Sequence, residues 1–84
     1  MLKETPFVNR SKIRSEILKS LEKAKTPTQL SKILNLHRSA ISRAILELEE
    51  KDIIRCLSPA EKRGRFYQIN KKGKEILEEI ESLN

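Results

Sequence analysis

Eighty-four residues suffice for one domain with a small core and a marginal surplus of stability. With 18 Lys and Arg against 12 Asp and Glu, the net charge is +6, a balance that favours a polyanionic partner such as nucleic acid or an anionic membrane surface. A single cysteine, Cys56, excludes an intramolecular disulfide and a Cys-based metal cluster. No run approaches the ~18 consecutive apolar residues of a transmembrane span, and the opening MLKETPFVN has no apolar stretch of the signal-peptide kind. A soluble chain in the reduced cytoplasm, without membrane association, is expected. Ten isoleucines beside abundant Lys and Glu fit a thermophilic source and an AT-rich genome equally.

The charge is unevenly placed. Residues 1–46 carry a net +7, 47–52 a net −3, 53–74 a net +6 and 75–84 a net −4. Two positive blocks and an acidic final segment predict one side that accepts phosphate and one that avoids it.

Residues 1–8 read as a loose arm, because Thr5-Pro6 interrupts regular structure, although Phe7 and Val8 have the character to pack on the body. The first helix is expected over 10–25, with Ile13, Ile17, Leu18, Leu21 and Ala24 at helical spacing. Thr26-Pro27-Thr28-Gln29 is a strong helix start: Thr26 caps, Pro27 suits the first helical position, and Gln29 completes a capping box. The second helix should then turn Leu30, Ile33 and Leu34 inward and end at Asn35, which tolerates the left-handed conformation. The third helix follows over 38–51, with Leu36, Ile41, Ala44, Ile45 and Leu48 at core spacing and Arg38, Ser42, Arg43, Glu47 and Glu50 outside. Asp52 takes the turn. Ile53–Leu57 and Phe66–Asn70 read as paired strands within 53–70, joined by the polar, Pro- and Gly-containing loop 58–65. Alternation makes Tyr67 and Ile69 core, leaves Phe66 exposed, and puts Cys56 on the inner face. Asn70 can cap a last helix over 71–83, whose apolar stripe is Ile76, Leu77, Ile80 and Leu83.

A helix, a tight turn and a second helix with a polar-basic outer face suit entry into a DNA major groove, where residues near the second helix's start meet base edges. His37, Arg38, Ser39, Ser42 and Arg43 are the candidates. Arg pairs bidentately with guanine, Ser serves either kind of base, and His can donate or accept. Arg38 and Arg43 are the best specificity candidates, whereas His37 is equally readable as an exposed turn residue. Thr26, Thr28 and Gln29 are placed to meet a phosphate at a helix N-terminus and so to set register. Lys62, Arg63 and Arg65 on the 58–65 loop can follow the backbone or enter a narrow minor groove, and Gly64 permits the bend.

The segments SKIRSEILKSL, LHRSAISRAILELEEKDII and RGRFYQINKKGKEIL resemble the winged helix-turn-helix domains of MarR- and ArsR-like transcriptional regulators, especially small archaeal ones. The resemblance implies a mainly α fold with a small β-hairpin: a three-helix core, a wing and a C-terminal helix, as one domain over 1–84. It also implies a recognition helix in the major groove, and terminal helices that build a homodimer. His37 stands where Ser usually caps the recognition helix, and Asp52 where Gly usually precedes the first wing strand. The chain is shorter than full MarR proteins, and no small-molecule effector is evident from it.

The stripe Ile76, Ile80, Leu83 has two readings, burial within the monomer and a seam against a second copy. A domain this small gains from the second. A two-fold dimer sets its recognition helices one DNA turn, roughly 34 Å, apart. No nucleophile with a positioned base, phosphate-binding glycine loop or metal triad is present, so neither enzyme nor cofactor is expected, and a lone His37 makes no metal site. The function expected is sequence-specific binding of double-stranded DNA in transcription regulation. The alternative is an interaction module binding protein or structured RNA within a larger transcription or replication assembly.

Overall fold

Side-chain caps open three of the five helices in the structure, a computed structural model that describes residues 1–83. The elements run α1 (Thr5–Asn9), α2 (Lys12–Ser20), α3 (Pro27–Leu34), α4 (Arg38–Glu50), β1 (Ile54–Cys56), β2 (Tyr67–Ile69) and α5 (Lys71–Leu83). This is the expected mainly helical fold with one antiparallel hairpin.

Ser11 opens α2 by accepting from Arg14 N at 3.2 Å. The Thr26–Gln29 capping box that opens α3 is complete: Thr26 N donates to Gln29 Oε1 at 2.9 Å and Gln29 N to Thr26 Oγ1 at 3.2 Å. Asn35 ends α3 at φ 54°, ψ 50°. Leu36 N then reaches Ser31 O at 3.1 Å, so the turn into α4 is short and internally bonded. Ile41, Ala44, Ile45 and Leu48 form the buried stripe of α4. Asp52, at φ 58°, takes the left-handed turn that leads into the hairpin. At the far end of the hairpin Asn70 Oδ1 accepts from Gly73 N at 2.8 Å, while its Nδ2 donates to Asp52 O at 2.7 Å. One side chain thus starts α5 and ties it to the turn after α4.

The strands pair as Ile54 with Ile69, Arg55 with Gln68 and Cys56 with Tyr67. Ile54, Tyr67 and Ile69 are buried and Cys56 is half-buried against the core, while Phe66 is exposed, as alternation predicts. The core collects Val8 from α1, Ile17 and Leu18 from α2, Leu30 from α3, Ile41 and Leu48 from α4, Ile53, and Ile76 from α5. Gly73 lets α5 approach the base of the hairpin, because a Cβ there would lie 2.5 Å from Ile53 O and 2.5 Å from Ile69 Cγ1.

Several expectations need correction. The arm is not loose. Pro6 sits in the first turn of α1, where proline suits a helix start, and α1 packs on α2 and α5. Glu4 pairs with Lys72 at 2.8 Å, Thr5 Oγ1 donates to Glu79, and Val8 is fully buried. Phe7 lies under the Arg14 guanidinium, 3.8 Å from ring centroid to Cζ, and Arg14 also binds Glu47 at 2.8 Å. Glu47, expected to be simply outside, is half-buried by that pair.

The first long helix begins at Lys12, not at residue 10, and stops at Ser20, not near Lys25. Lys25 is drawn instead into a β-bridge with Tyr67, donating N–H to Tyr67 O at 3.0 Å and accepting from Tyr67 N at 2.9 Å. Lys51 caps α4 and lies outside it. Ile33, expected inward, is 56% exposed. The eight-residue α3 turns only the Leu30 and Leu34 edge to the core, and Ile33 lies beside that edge, next to Ile13 and Leu36.

Ile76 and Ile80 are 0% and 2% exposed inside the monomer, so neither is available to a seam with a second copy. Packing of α5 on α1, α2 and the hairpin covers them. Leu83 alone of the three proposed dimerisation residues is exposed, at 55%.

Candidate nucleic-acid interface

The start of α3, the start of α4 and the loop between the strands meet around one open cleft. Its volume is about 540 Å³, and it is lined by Pro27, Thr28, Arg38, Lys62, Arg63, Gly64, Arg65 and Tyr67. Local chemistry accounts for each contribution. The capping box takes up the N–H groups of Thr26 and Gln29, and Pro27 has none, so the first turn of α3 offers the cleft the N–H of Thr28. Left-handed Asn35 reverses the chain so that α4 begins beside α3, bringing Arg38 to the same place. The loop folds over from the hairpin: Phe66 N donates to Ser58 Oγ at 3.0 Å, Glu61 N to Ser58 O at 3.1 Å, and Arg65 Nε to Glu61 O. Gly64, at φ 63° and with nothing within 4 Å of where a Cβ would stand, supplies the left-handed bend at the tip.

Four cations, Arg38, Lys62, Arg63 and Arg65, therefore share a cleft with a helix N-terminus, and both favour an anion. Tyr67 contributes in two directions. Its ring is buried and its side chain also borders the cleft. Burial pushes its phenol above the ordinary value, and nearby Arg65 partly opposes this. At neutral pH the hydroxyl keeps its proton and can donate.

The cleft brings together Thr28, Arg38, Lys62, Arg63 and Arg65 of the residues expected from the sequence. The others lie elsewhere. Thr26 Oγ1 and Gln29 Oε1 are engaged in the capping box, which leaves the Gln29 amide nitrogen free of that pair. His37 precedes α4 without making a side-chain cap bond. It borders a second, shallow hollow with Ser31, Lys32, Asn35, Leu36 and Arg38, so Lys32 joins the basic rim there. Ser39, Ser42 and Arg43 are exposed along α4, outside the cleft. Glu47 is held by Arg14, and its carboxyl lies below the ordinary range because of that hydrogen bond, whereas Glu49 is near enough to Tyr67 to add to the rise of its phenol.

Sequence reasoning missed Tyr67 and Pro27 as cleft residues, Lys32, and Leu46. Leu46 is 58% exposed on the outer face of α4. Its position, four residues after Ser42 and seven after Ser39, was the available signal.

A family model described as winged helix-turn-helix matches residues 9–84. The chain belongs to the winged helix-turn-helix family. Within that fold α3 and α4 are the helix-turn-helix and the 58–65 loop is the wing. The chain is 33% identical over 98 aligned positions to the uncharacterized HTH-type transcriptional regulator YdgG of Bacillus subtilis (strain 168), covering 98% of this chain and 64% of that one. It thus spans less than two thirds of that relative's length. The crystal structure of transcriptional regulator Tm0710 from Thermotoga maritima superposes with a TM-score of 0.77 at 27% identity, covering 94% of this chain and 61% of that one. A mutant MarR from E. coli complexed with operator DNA shares the fold, with a TM-score of 0.77 at 24% identity over 96% of this chain and 65% of that one. Among the described residues no helix is long and apolar enough to cross a membrane.

Proposed function

We propose that this winged helix-turn-helix chain is a MarR-like, sequence-specific regulator of transcription that binds double-stranded DNA in the cytoplasm. The observation that carries the reading is the convergence of four cations and the α3 N-terminus on one cleft, beside the exposed polar-basic face of α4. In this reading α4 enters the major groove. Arg38 and Arg43 pair with guanine, Ser39 and Ser42 serve either kind of base, and His37 meets the groove edge. Thr28, with Thr26 and Gln29 holding the turn, receives a phosphate at the start of α3. Lys62, Arg63 and Arg65 follow the backbone or enter the adjacent minor groove. The resemblance to YdgG, named as a transcriptional regulator, and the fold shared with a MarR bound to operator DNA support this assignment.

A homodimer belongs to the same reading. Ile76 and Ile80 are withdrawn from its seam, and exposed Leu83, beside Met1 in the last turn of α5, stands in their place. Sedimentation equilibrium of the chain and of Leu83→Ser checks this: a wild-type dimer weakened by the substitution is expected, and a monomer at all accessible concentrations sinks the dimer.

Selection from random duplex DNA at physiological salt tests the function. The expected product is a symmetric motif with half-sites one helical turn apart, at which Arg38→Ala and Arg43→Ala each relax one position by about 1–3 kcal/mol. Absence of any enriched motif, together with stoichiometric co-purification of a protein or structured RNA, would turn the assignment to an interaction module.

A further inference from the structure

The outer face of α4 holds one side chain that hydrogen-bond readout does not use. Opposite the buried stripe Ile41, Ala44, Ile45 and Leu48, the helix turns out Ser39, Arg43, Leu46 and Glu50, with Ser42 flanking them. Leu46 sits in the middle of this face and is 58% exposed, more than any other hydrophobic side chain in α4. It makes no part of the core, and Arg43 and Ser42 lie one turn before it. A single exposed leucine is ordinary on an arbitrary surface. On the face that α4 presents outward, it is the one group unable to hydrogen-bond to a base edge or a phosphate.

In the major groove the apolar feature of a base pair is the thymine C5-methyl, which an aliphatic side chain can cover. We infer that Leu46 is a specificity-determining residue that packs on a thymine methyl in the groove read by α4. This rests on the docking proposed above. The rise of a helix sets the spacing: eight residues separate Arg38 from Leu46, about 12 Å along the axis. A recognition helix lies inclined in the groove and meets about three successive bases over about seven residues. The thymine read by Leu46 therefore lies about two to three steps from the guanine read by Arg38. Beyond Leu46 the face becomes acidic at Glu50, so Leu46 marks the end of the base-reading surface nearest the repelling carboxylates.

Deoxyuridine differs from thymidine in this groove only by the missing methyl, which makes it the probe. Affinities of the wild-type chain and of Leu46→Ala are measured by fluorescence anisotropy on the selected duplex and on copies with each thymine replaced singly by uracil. Alanine at this exposed helical site preserves the fold, since it has the higher helix propensity. One uracil, about two to three steps from the position relaxed by Arg38→Ala, is expected to weaken wild-type binding about fourfold, the value of one methyl group taken out of water. The same uracil should leave Leu46→Ala unchanged. A site without thymine there, no penalty at any uracil, or an equal penalty in Leu46→Ala overturns the inference alone, provided that binding still depends on Arg38. A chain that binds no duplex at all overturns the docking reading, and the inference with it.

Discussion

Replacing Gly73 by alanine drives a methyl group into the joint between α5 and the wing. The new Cβ would stand 2.5 Å from Ile53 O, 2.5 Å from Ile69 Cγ1 and 3.2 Å from Ile53 Cγ2. The Ile69 side chain can rotate away, but Ile53 O is backbone and already accepts from Asn70 N at 3.2 Å. Relief therefore requires α5 to shift outward, which strains the Asn70 cap and its bond to Asp52 O. Overpacking of this kind costs about 1–3 kcal/mol, and a weakened hydrogen bond adds about 1 kcal/mol. Alanine's helix propensity returns at most about 1 kcal/mol, less in a first turn. The net loss is about 2 kcal/mol, which for a chain of this size lowers Tm by roughly 8–16 °C. Urea titration followed by circular dichroism reads it as a lower midpoint at unchanged slope. Gly64→Ala, where nothing lies within 4 Å and only the positive φ is penalised, serves as the control and should lose less. An unchanged or raised midpoint for Gly73→Ala would refute the close-approach argument.

Three further outcomes follow from local geometry. Thr26→Ala removes one half of the capping box and should destabilise the chain by about 1 kcal/mol in the same titration; no change would mean that the box contributes nothing to holding α3. Glu4, Glu47 and Glu79 all have carboxyls below their ordinary value, mainly through hydrogen bonds from Lys72, Arg14 and Thr5 respectively. A depressed folded pKa gives stability that is fully present above the ordinary value of 4.5 and is lost as pH falls through the folded one. Tm should thus be level from neutral pH to about 5 and then fall, less steeply in Glu79→Gln; a Tm that rises on acidification contradicts the assignment. Ile76→Ala should cost about 2–5 kcal/mol of monomer stability as a core truncation, whereas an effect confined to self-association would restore the seam reading.

Legibility in the sequence tracked the range of the interactions. Thr26 with Gln29, Asn35, Asp52 and Asn70 act within a few residues of themselves, so each turn and cap could be read directly, and the α4 stripe followed from periodicity. What failed was settled across the chain. Lys25 leaves its helix because Tyr67, 42 positions away, offers a ladder bond. Residues 4–8 fold because Lys72 and Glu79 on α5 hold them. Ile76 and Ile80 look like a seam in isolation and prove to be core because α1 and α2 cover them. The cleft was half legible: its cations stood out by type, but their meeting with Thr28 and Tyr67 depends on how the wing folds back. Leu46 did not stand out by type, because a leucine in a helix usually belongs to the core, and only its azimuth beside Ser39 and Arg43 sets it outside.

In the proposed docking, the α3 start, α4 and the wing form one phosphate-gripping, base-reading face. Salt dependence of duplex affinity tests it most directly. For the wild-type chain, log Kd plotted against log salt should rise with a slope of about 0.9 per phosphate contacted. Arg63→Ala and Lys62→Ala should each reduce that slope by about one while leaving the preferred sequence unchanged. Slopes identical to wild type in both variants, or affinity independent of salt, would contradict the account.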